Sequence, residues 1–116
     1  MNILLFMSDN QSSEFIGCYG NKEVLTPNID KLSKTGKLFS SAFCTNAMCS
    51  PCRASVLTGL MPSAHGIHNW LDDNLENFWP DKWNAIGEFE SFPERLKEAG
   101  FTNALIGKYH LGKAKN

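Results

Sequence analysis

The stretch "NILLFMSDN", residues 2–10, decides the fold class. Ile3 to Met7 form an unbroken apolar run, stopped by Ser8, Asp9 and Asn10. A short continuous run of this kind reads as a strand buried on both faces, as in a parallel sheet covered by helices. A similar run, "FTNALIGK", spans residues 101–108, and the more mixed "KLFSSAFCT", residues 37–45, reads as a further strand.

Helices fall between these runs. In "TPNIDKLSKTG", residues 26–36, Thr26 suits an N-cap, Pro27 the first helical position and Gly36 the end. "SPCRASVLTGL" reads as a helix that begins just after Cys49 and ends near Gly59. In "SFPERLKEAG", Ser91 and Glu94 form a capping box and Gly100 is a C-cap. Residues 9–25 and 61–90 show no clean period and read mostly as loop. The order predicts an α/β fold, a mostly parallel sheet flanked by helices. Ligands in such folds gather beyond the carboxyl ends of the strands. Three polar clusters follow apolar runs: Asp9–Asn10, the Cys49 region, and Lys108–Tyr109–His110.

The chain has 116 residues, which suits one small domain burying roughly two-thirds of its unfolded surface. A net charge of −1 and the lack of basic tracts give no reason to expect nucleic acid or an anionic membrane as partner. The longest apolar run falls far short of the roughly 20 residues of a membrane span. No basic n-region precedes it, so the chain as written reads as cytoplasmic, and as periplasmic or secreted if the true start lies upstream. The four cysteines are then expected as reduced thiols.

Cys49 and Cys52 form a CxxC pair. With His65 and His68, and twelve residues between Cys52 and His65, they resemble a zinc-finger spacing. "HGIHNW" has no helical period, which argues against zinc. A redox dithiol at a helix N-terminus fits the position of Cys49, but such a motif belongs soon after the first strand. The whole string carries more. Cys49-x-Pro51-x-Arg53, followed by Thr58-Gly59, resembles the signature of the type I sulfatases of the alkaline phosphatase superfamily. "NILLFMSDN" resembles that family's first strand and acidic metal-binding turn. "GCYGN…TPNIDKLSKTG" resembles its next loop and helix, and "FPERLKEAGFTNALIGKYHLG" its later helix, strand and Lys-x-His element.

The resemblance implies that Cys49 is oxidised to formylglycine by a formylglycine-generating or radical maturase enzyme. One hydroxyl of the hydrated aldehyde is then implied to attack the sulfur of a small-molecule or carbohydrate sulfate ester and expel the alcohol, and the other to drive elimination of sulfate, which regenerates the aldehyde. The N-terminus of the helix after Cys49 favours that anion. Asp9 and Asn10, with a hydroxyl of the residue made from Cys49, are implied to bind a divalent cation, taken as calcium because hard cations prefer oxygen ligands. Many relatives carry Asp-Asp where this chain has Asp9–Asn10. Arg53 is implied to hold the formylglycine hydroxyl, Lys108 a sulfate oxygen, and His110 the nucleophile or a proton in transfer. Cys18, Cys44 and Cys52 are implied to pack. Trp70, Phe78, Trp79 and Trp83 read as packing residues or as the lining of a sugar or aryl pocket.

Residues 1–116 resemble the N-terminal segment of the catalytic domain, an incomplete sheet whose unpaired edge favours self-association. Further metal ligands come later in that family, so the isolated chain is expected to turn over little. The other readings are a phosphate or phosphonate monoester hydrolase of the same superfamily, and a non-catalytic fragment.

Overall fold

The structure is a computed structural model and describes residues 1–72 and 78–112. It divides into two compact units, Met1–Ala42 and Phe43–Asn116. The helices fall where local signals place them: α1 (Pro27–Thr35), α2 (Cys49–Thr58), a short α3 (Pro62–His65) and α4 (Phe92–Glu98).

The first unit is organised by one carboxylate. Thr26 is the N-cap of α1 by position, but its side chain does not cap the helix. Its Oγ1 instead accepts the Gly17 N–H at 2.8 Å and donates to Asp30 Oδ1 at 2.9 Å. Asp30 Oδ1 also accepts the Cys18 N–H at 2.7 Å. This ties the first turn of α1 to the 3₁₀ turn Gly17–Tyr19, inside the stretch expected to be loop. Gly17 is needed for closeness: a Cβ there would sit 2.7 Å from an Asp30 oxygen. Asn21 closes the loop between them, accepting from the Glu23 and Val24 amides. No residue of this unit is buried.

The second unit has an apolar centre. Ala54 of α2, Ile86 and Leu111 are buried together, with Leu57, Ile67, Leu71 and Phe89 packed around them. α2 starts at Cys49 itself, one residue earlier than expected, and Gly59 ends it in the left-handed region. At α4 the Ser91 N–H donates to Glu94 Oε2 at 2.9 Å, the return arm of the expected capping box, and the Ser91 hydroxyl donates to the same oxygen at 2.8 Å. The helix closes one residue before Gly100. Gly100 N–H reaches Lys97 O and Phe101 N–H reaches Leu96 O, a Schellman motif. Residues 61–90 are mostly irregular as expected, apart from α3 and several turns; residues 73–77 of that stretch lie outside the described residues.

The expected mostly parallel sheet is not formed among the described residues. Among the described residues the only β pairing is an isolated antiparallel bridge between Asn84 and Gly112. The run 2–7 forms no strand and is not buried, with Leu4 90% and Phe6 86% exposed. Residues 37–45 and 101–108 likewise lack a ladder, and Ile106 is 96% exposed. The physical reason is that an apolar run encodes a preference for buried, extended backbone. A strand also needs a partner about 4.8 Å away, and that partner is specified elsewhere in sequence.

Candidate active site around Cys49

Cys49 is the first residue of α2, half-buried, with Met48 as N-cap. The first turn of a helix leaves backbone N–H groups without intrahelical acceptors and carries positive partial charge. Pro51 falls within this turn, where its missing N–H costs nothing. Lys108 reaches across from the segment after residue 101, and its Nζ donates to Cys49 Sγ at 3.6 Å. Arg53 lies one helical turn beyond Cys49 on the same face, since residues four apart align. Its Nη1 donates to the Lys108 carbonyl at 2.7 Å. Arg53 therefore fixes the backbone from which Lys108 extends, a role the sequence reading did not foresee. One cation and a helix N-terminus meet at the Cys49 side chain, and a second cation, Arg53, holds the backbone of the first.

His110 sits close by but faces a different partner. It is buried, and its Nε2 donates to the Leu71 carbonyl at 2.6 Å. The Leu71 N–H in turn donates to Ser50 Oγ at 3.1 Å. His110 is thus connected through Leu71 to the residue next to Cys49. Trp70 packs edge-on against the imidazole, with centroids 5.7 Å apart and planes at 80°. His110 has φ 59°, a left-handed conformation that costs energy for a residue with a Cβ. The bridge at Gly112 anchors the chain two residues later and holds that conformation in place.

His65, singled out with His68 as a zinc candidate, is buried against α2. The Ile67 N–H donates to its Nδ1 at 3.1 Å, so the proton of the neutral ring resides on Nε2 and points to Ser55 Oγ at 3.1 Å. Both nitrogens are thereby used, leaving no lone pair for a metal. Burial, and then the neighbouring His68, hold the His65 pKa below the ordinary histidine range. Cys52 is not a partner of Cys49. Burial raises its thiol pKa, and so does the Cys44 thiol within reach of it. Tyr109, between the two site residues 108 and 110, donates to Asn84 Oδ1 at 3.0 Å; burial raises its pKa despite that bond. Ser50, Leu71 and Asn84 carried no signal in the sequence, because their contacts span 21 to 39 positions.

Asp9 and Asn10 lie in the first unit, with Asn10 in the left-handed region at φ 50°, which asparagine tolerates. A carboxylate and an amide oxygen are donor types a hard cation takes, two of the six to eight that calcium needs. Among the described residues no group of three or more His, Cys, Asp or Glu side chains is placed to hold a metal. No described helix is long and apolar enough to cross a membrane.

Comparison with known proteins places this site in context. The sulfatase family model matches residues 1–116. The chain is similar to human steryl-sulfatase, 36% identical over 111 residues, 96% of this chain and 19% of that protein. It is similar to N-acetylgalactosamine-6-sulfatase of Rattus norvegicus, 37% identical over 113 residues, 96% of this chain and 22% of that protein. It is also similar to N-acetylglucosamine-6-O-sulfatase of Bacteroides thetaiotaomicron, 34% identical over 110 residues, 95% of this chain and 18% of that protein. The chain spans about a fifth of the length of these curated relatives. No solved structure matches it.

Proposed function

The chain belongs to the sulfatase family, and from that premise we propose that it carries the nucleophile side of a sulfate-ester hydrolase, with Cys49 as the precursor of formylglycine. The observation that carries the reading is the convergence on Cys49: the Lys108 ammonium at 3.6 Å, Arg53 holding Lys108, and the N-terminus of α2.

A sulfate ester is an anion, so a nucleophile approaching sulfur must do so among fixed positive charges. The formylglycine at position 49, once made by a maturase acting on this chain, supplies an activated hydroxyl. Lys108 binds a non-bridging sulfate oxygen and draws charge from the sulfur. Arg53 keeps that ammonium at its station through the Lys108 carbonyl. The first-turn N–H groups of α2 receive the oxygens turned toward the helix. His110, donating through Nε2 to the Leu71 carbonyl, orients the segment beside the nucleophile, because the Leu71 N–H in turn holds Ser50 Oγ. Asp9 and Asn10 are the residues that would hold part of a divalent cation's oxygen shell. A hard divalent cation such as calcium would supply Lewis-acid chemistry if held by these oxygens.

The relatives' names, steryl-sulfatase and N-acetylgalactosamine-6-sulfatase, support a small-molecule or carbohydrate sulfate ester as the substrate. The runs 2–7, 37–45 and 101–108 are the strands we assign to the family's parallel sheet, and residues 1–116 are one segment of a single catalytic domain. The test pairs chemistry with turnover. The chain is co-expressed with a maturase, and mass spectrometry of the Cys49 peptide is expected to show conversion of thiol to aldehyde. Matched sulfate, phosphate and phosphonate esters are then assayed on a longer chain containing these residues, with sulfate expected to be preferred. An unconverted Cys49 peptide, or a preference for phosphate or phosphonate, would overturn the reading. The 116-residue chain alone is expected to show little or no hydrolysis.

A further inference from the structure

Three thiols gather at the start of α2: Cys44, Cys49 and Cys52. Cys49 Sγ is engaged by Lys108, whose Nζ donates to it at 3.6 Å. Cys52 follows three residues later on the helix and is half-buried. A helical Cα–Cβ bond tilts toward the helix N-terminus, so the Cys52 side chain leans back over the first turn, toward the chain that enters it. That incoming chain is folded against the helix. Asn46 Oδ1 accepts the Met48 N–H at 2.8 Å, and Met48 O accepts the Cys52 N–H at 3.1 Å. Cys44 lies just before this turn, exposed and on irregular backbone. The turn brings its thiol within hydrogen-bonding reach of Cys52.

From this we propose that Cys44 and Cys52 are a disulfide-forming pair, closed by exchange with a low-molecular-weight disulfide, and that Cys49 stays a thiol beside them. The exposed Cys44 thiolate attacks one sulfur of the small disulfide, whose S–S bond breaks and releases one thiolate. The Cys52 thiolate then attacks the Cys44 sulfur of the mixed disulfide and expels the second. The two cysteines lose two electrons and two protons, and the small disulfide takes both up and leaves as two thiols. The order follows from access. Burial, and then Cys44, raise the Cys52 thiol pKa, so Cys52 meets a reagent from solvent slowly and acts on a sulfur already beside it. A disulfide needs Cβ atoms about 3.5–4.5 Å apart, and the exposed Cys44 on irregular backbone is the side that can adjust. Cys49 and Cys52 would close a shorter loop, but residues three apart on a helix hold their Cβ atoms about 5–6 Å apart. Pairing with Cys44 occupies Cys52, so an oxidant reaching this end of α2 is consumed without using Cys49. That consequence bears on maturation and rests on the proposed function; the pairing itself does not. A Cys49 that no maturase converts would end that reading and leave the pairing untouched.

The test exposes the full 116-residue chain to glutathione disulfide. Free thiols are alkylated with one reagent; the chain is then reduced and alkylated with a heavier isotopic form of it. Trypsin releases the three thiols on one peptide, residues 38–53, and fragment masses place each label. Cys44 and Cys52 are expected to carry the heavy label together, and Cys49 the light one. The same exchange is run in concentrated urea, where loop length alone decides and Cys49 is expected to share in the pairing. Cys52→Ser should halt the reaction at a glutathione adduct on Cys44. Cys44→Ser should slow the loss of the Cys52 thiol about tenfold. A heavy label on Cys49 in the folded chain, light label throughout, or the same pattern in buffer and in urea would overturn the inference. So would a glutathione adduct that persists on Cys44 with Cys52 present, or a second copy of the chain linked through Cys44.

Discussion

The two units use opposite means to hold their shape. Residues 1–42 bury nothing, and their fold rests on Asp30 and Thr26 gathering the amides of Gly17 and Cys18. Residues 43 onward pack Ala54, Ile86 and Leu111 into an apolar centre and build the site over it. The difference teaches where precision comes from. A polar knot fixes a loop against a helix, but its hydrogen bonds each return only about 1 kcal/mol against water. An apolar centre that α2 enters directly can hold Cys49 at a set distance from Lys108, because core packing tolerates little displacement.

Substitutions can break that contrast or sharpen it. The largest effect is expected at Gly112, whose φ is 139° and where a Cβ would stand 2.3 Å from the Trp83 carbonyl. Gly112→Ala should destabilise the second unit by about 3 kcal/mol through clash and backbone strain. Urea unfolding followed by tryptophan fluorescence measures this, since all three tryptophans lie in that unit. The Gly17 and Cys18 amides should keep their hydrogen-exchange protection; their loss as well would mean that the units are not independent.

Asp30→Ala should cost the first unit about 2 kcal/mol, because a carboxylate accepting two donors is lost. Amide exchange at Gly17 and Cys18 reports it, with no change expected in tryptophan fluorescence. Next comes pH. The folded His65 has its pKa lowered by burial, so in the window below the ordinary 6.5 the unfolded chain binds the extra proton. This contribution to stability is complete above 6.5 and fades as pH falls through the depressed folded value. The urea midpoint of the second unit should fall with acid over that range. Ser55→Ala removes the partner of His65 and should cost about 1 kcal/mol at neutral pH. A midpoint flat with pH would show that His65 is not buried neutral. The smallest stability effect belongs to Lys108→Met, an exposed site where less than about 0.5 kcal/mol is expected. In a ¹⁵N titration with inorganic sulfate that variant should nonetheless lose the shift of the Cys49 backbone signal, separating charge at the site from its support.

The helices were legible because their signals are local. Pro27, Gly59 and the Ser91–Glu94 box mark ends within three or four residues of the backbone they serve. The strands were not, because "ILLFM" states what the run would bury and leaves its partner unnamed. The site divides in the same way. Cys49, Pro51 and Arg53 were legible as one string, and Lys108 as part of a second. That Arg53 grips the Lys108 carbonyl, 55 positions away, has no local trace. Thr26 misled in part: it holds the N-cap position, yet its hydroxyl serves Gly17 and Asp30, a choice that only the packing of the loop decides.

Leu71 joins Ser50 to His110 with main-chain atoms alone, its N–H to one and its carbonyl to the other. Its side chain only adds to the apolar shell. The link is therefore indifferent to residue identity, and another apolar residue of similar bulk at 71 would preserve it. Proline, lacking the N–H, would sever one arm. A geometry stored this way can pass through many sequence changes at that position, and tables of residue substitution would score it as unimportant.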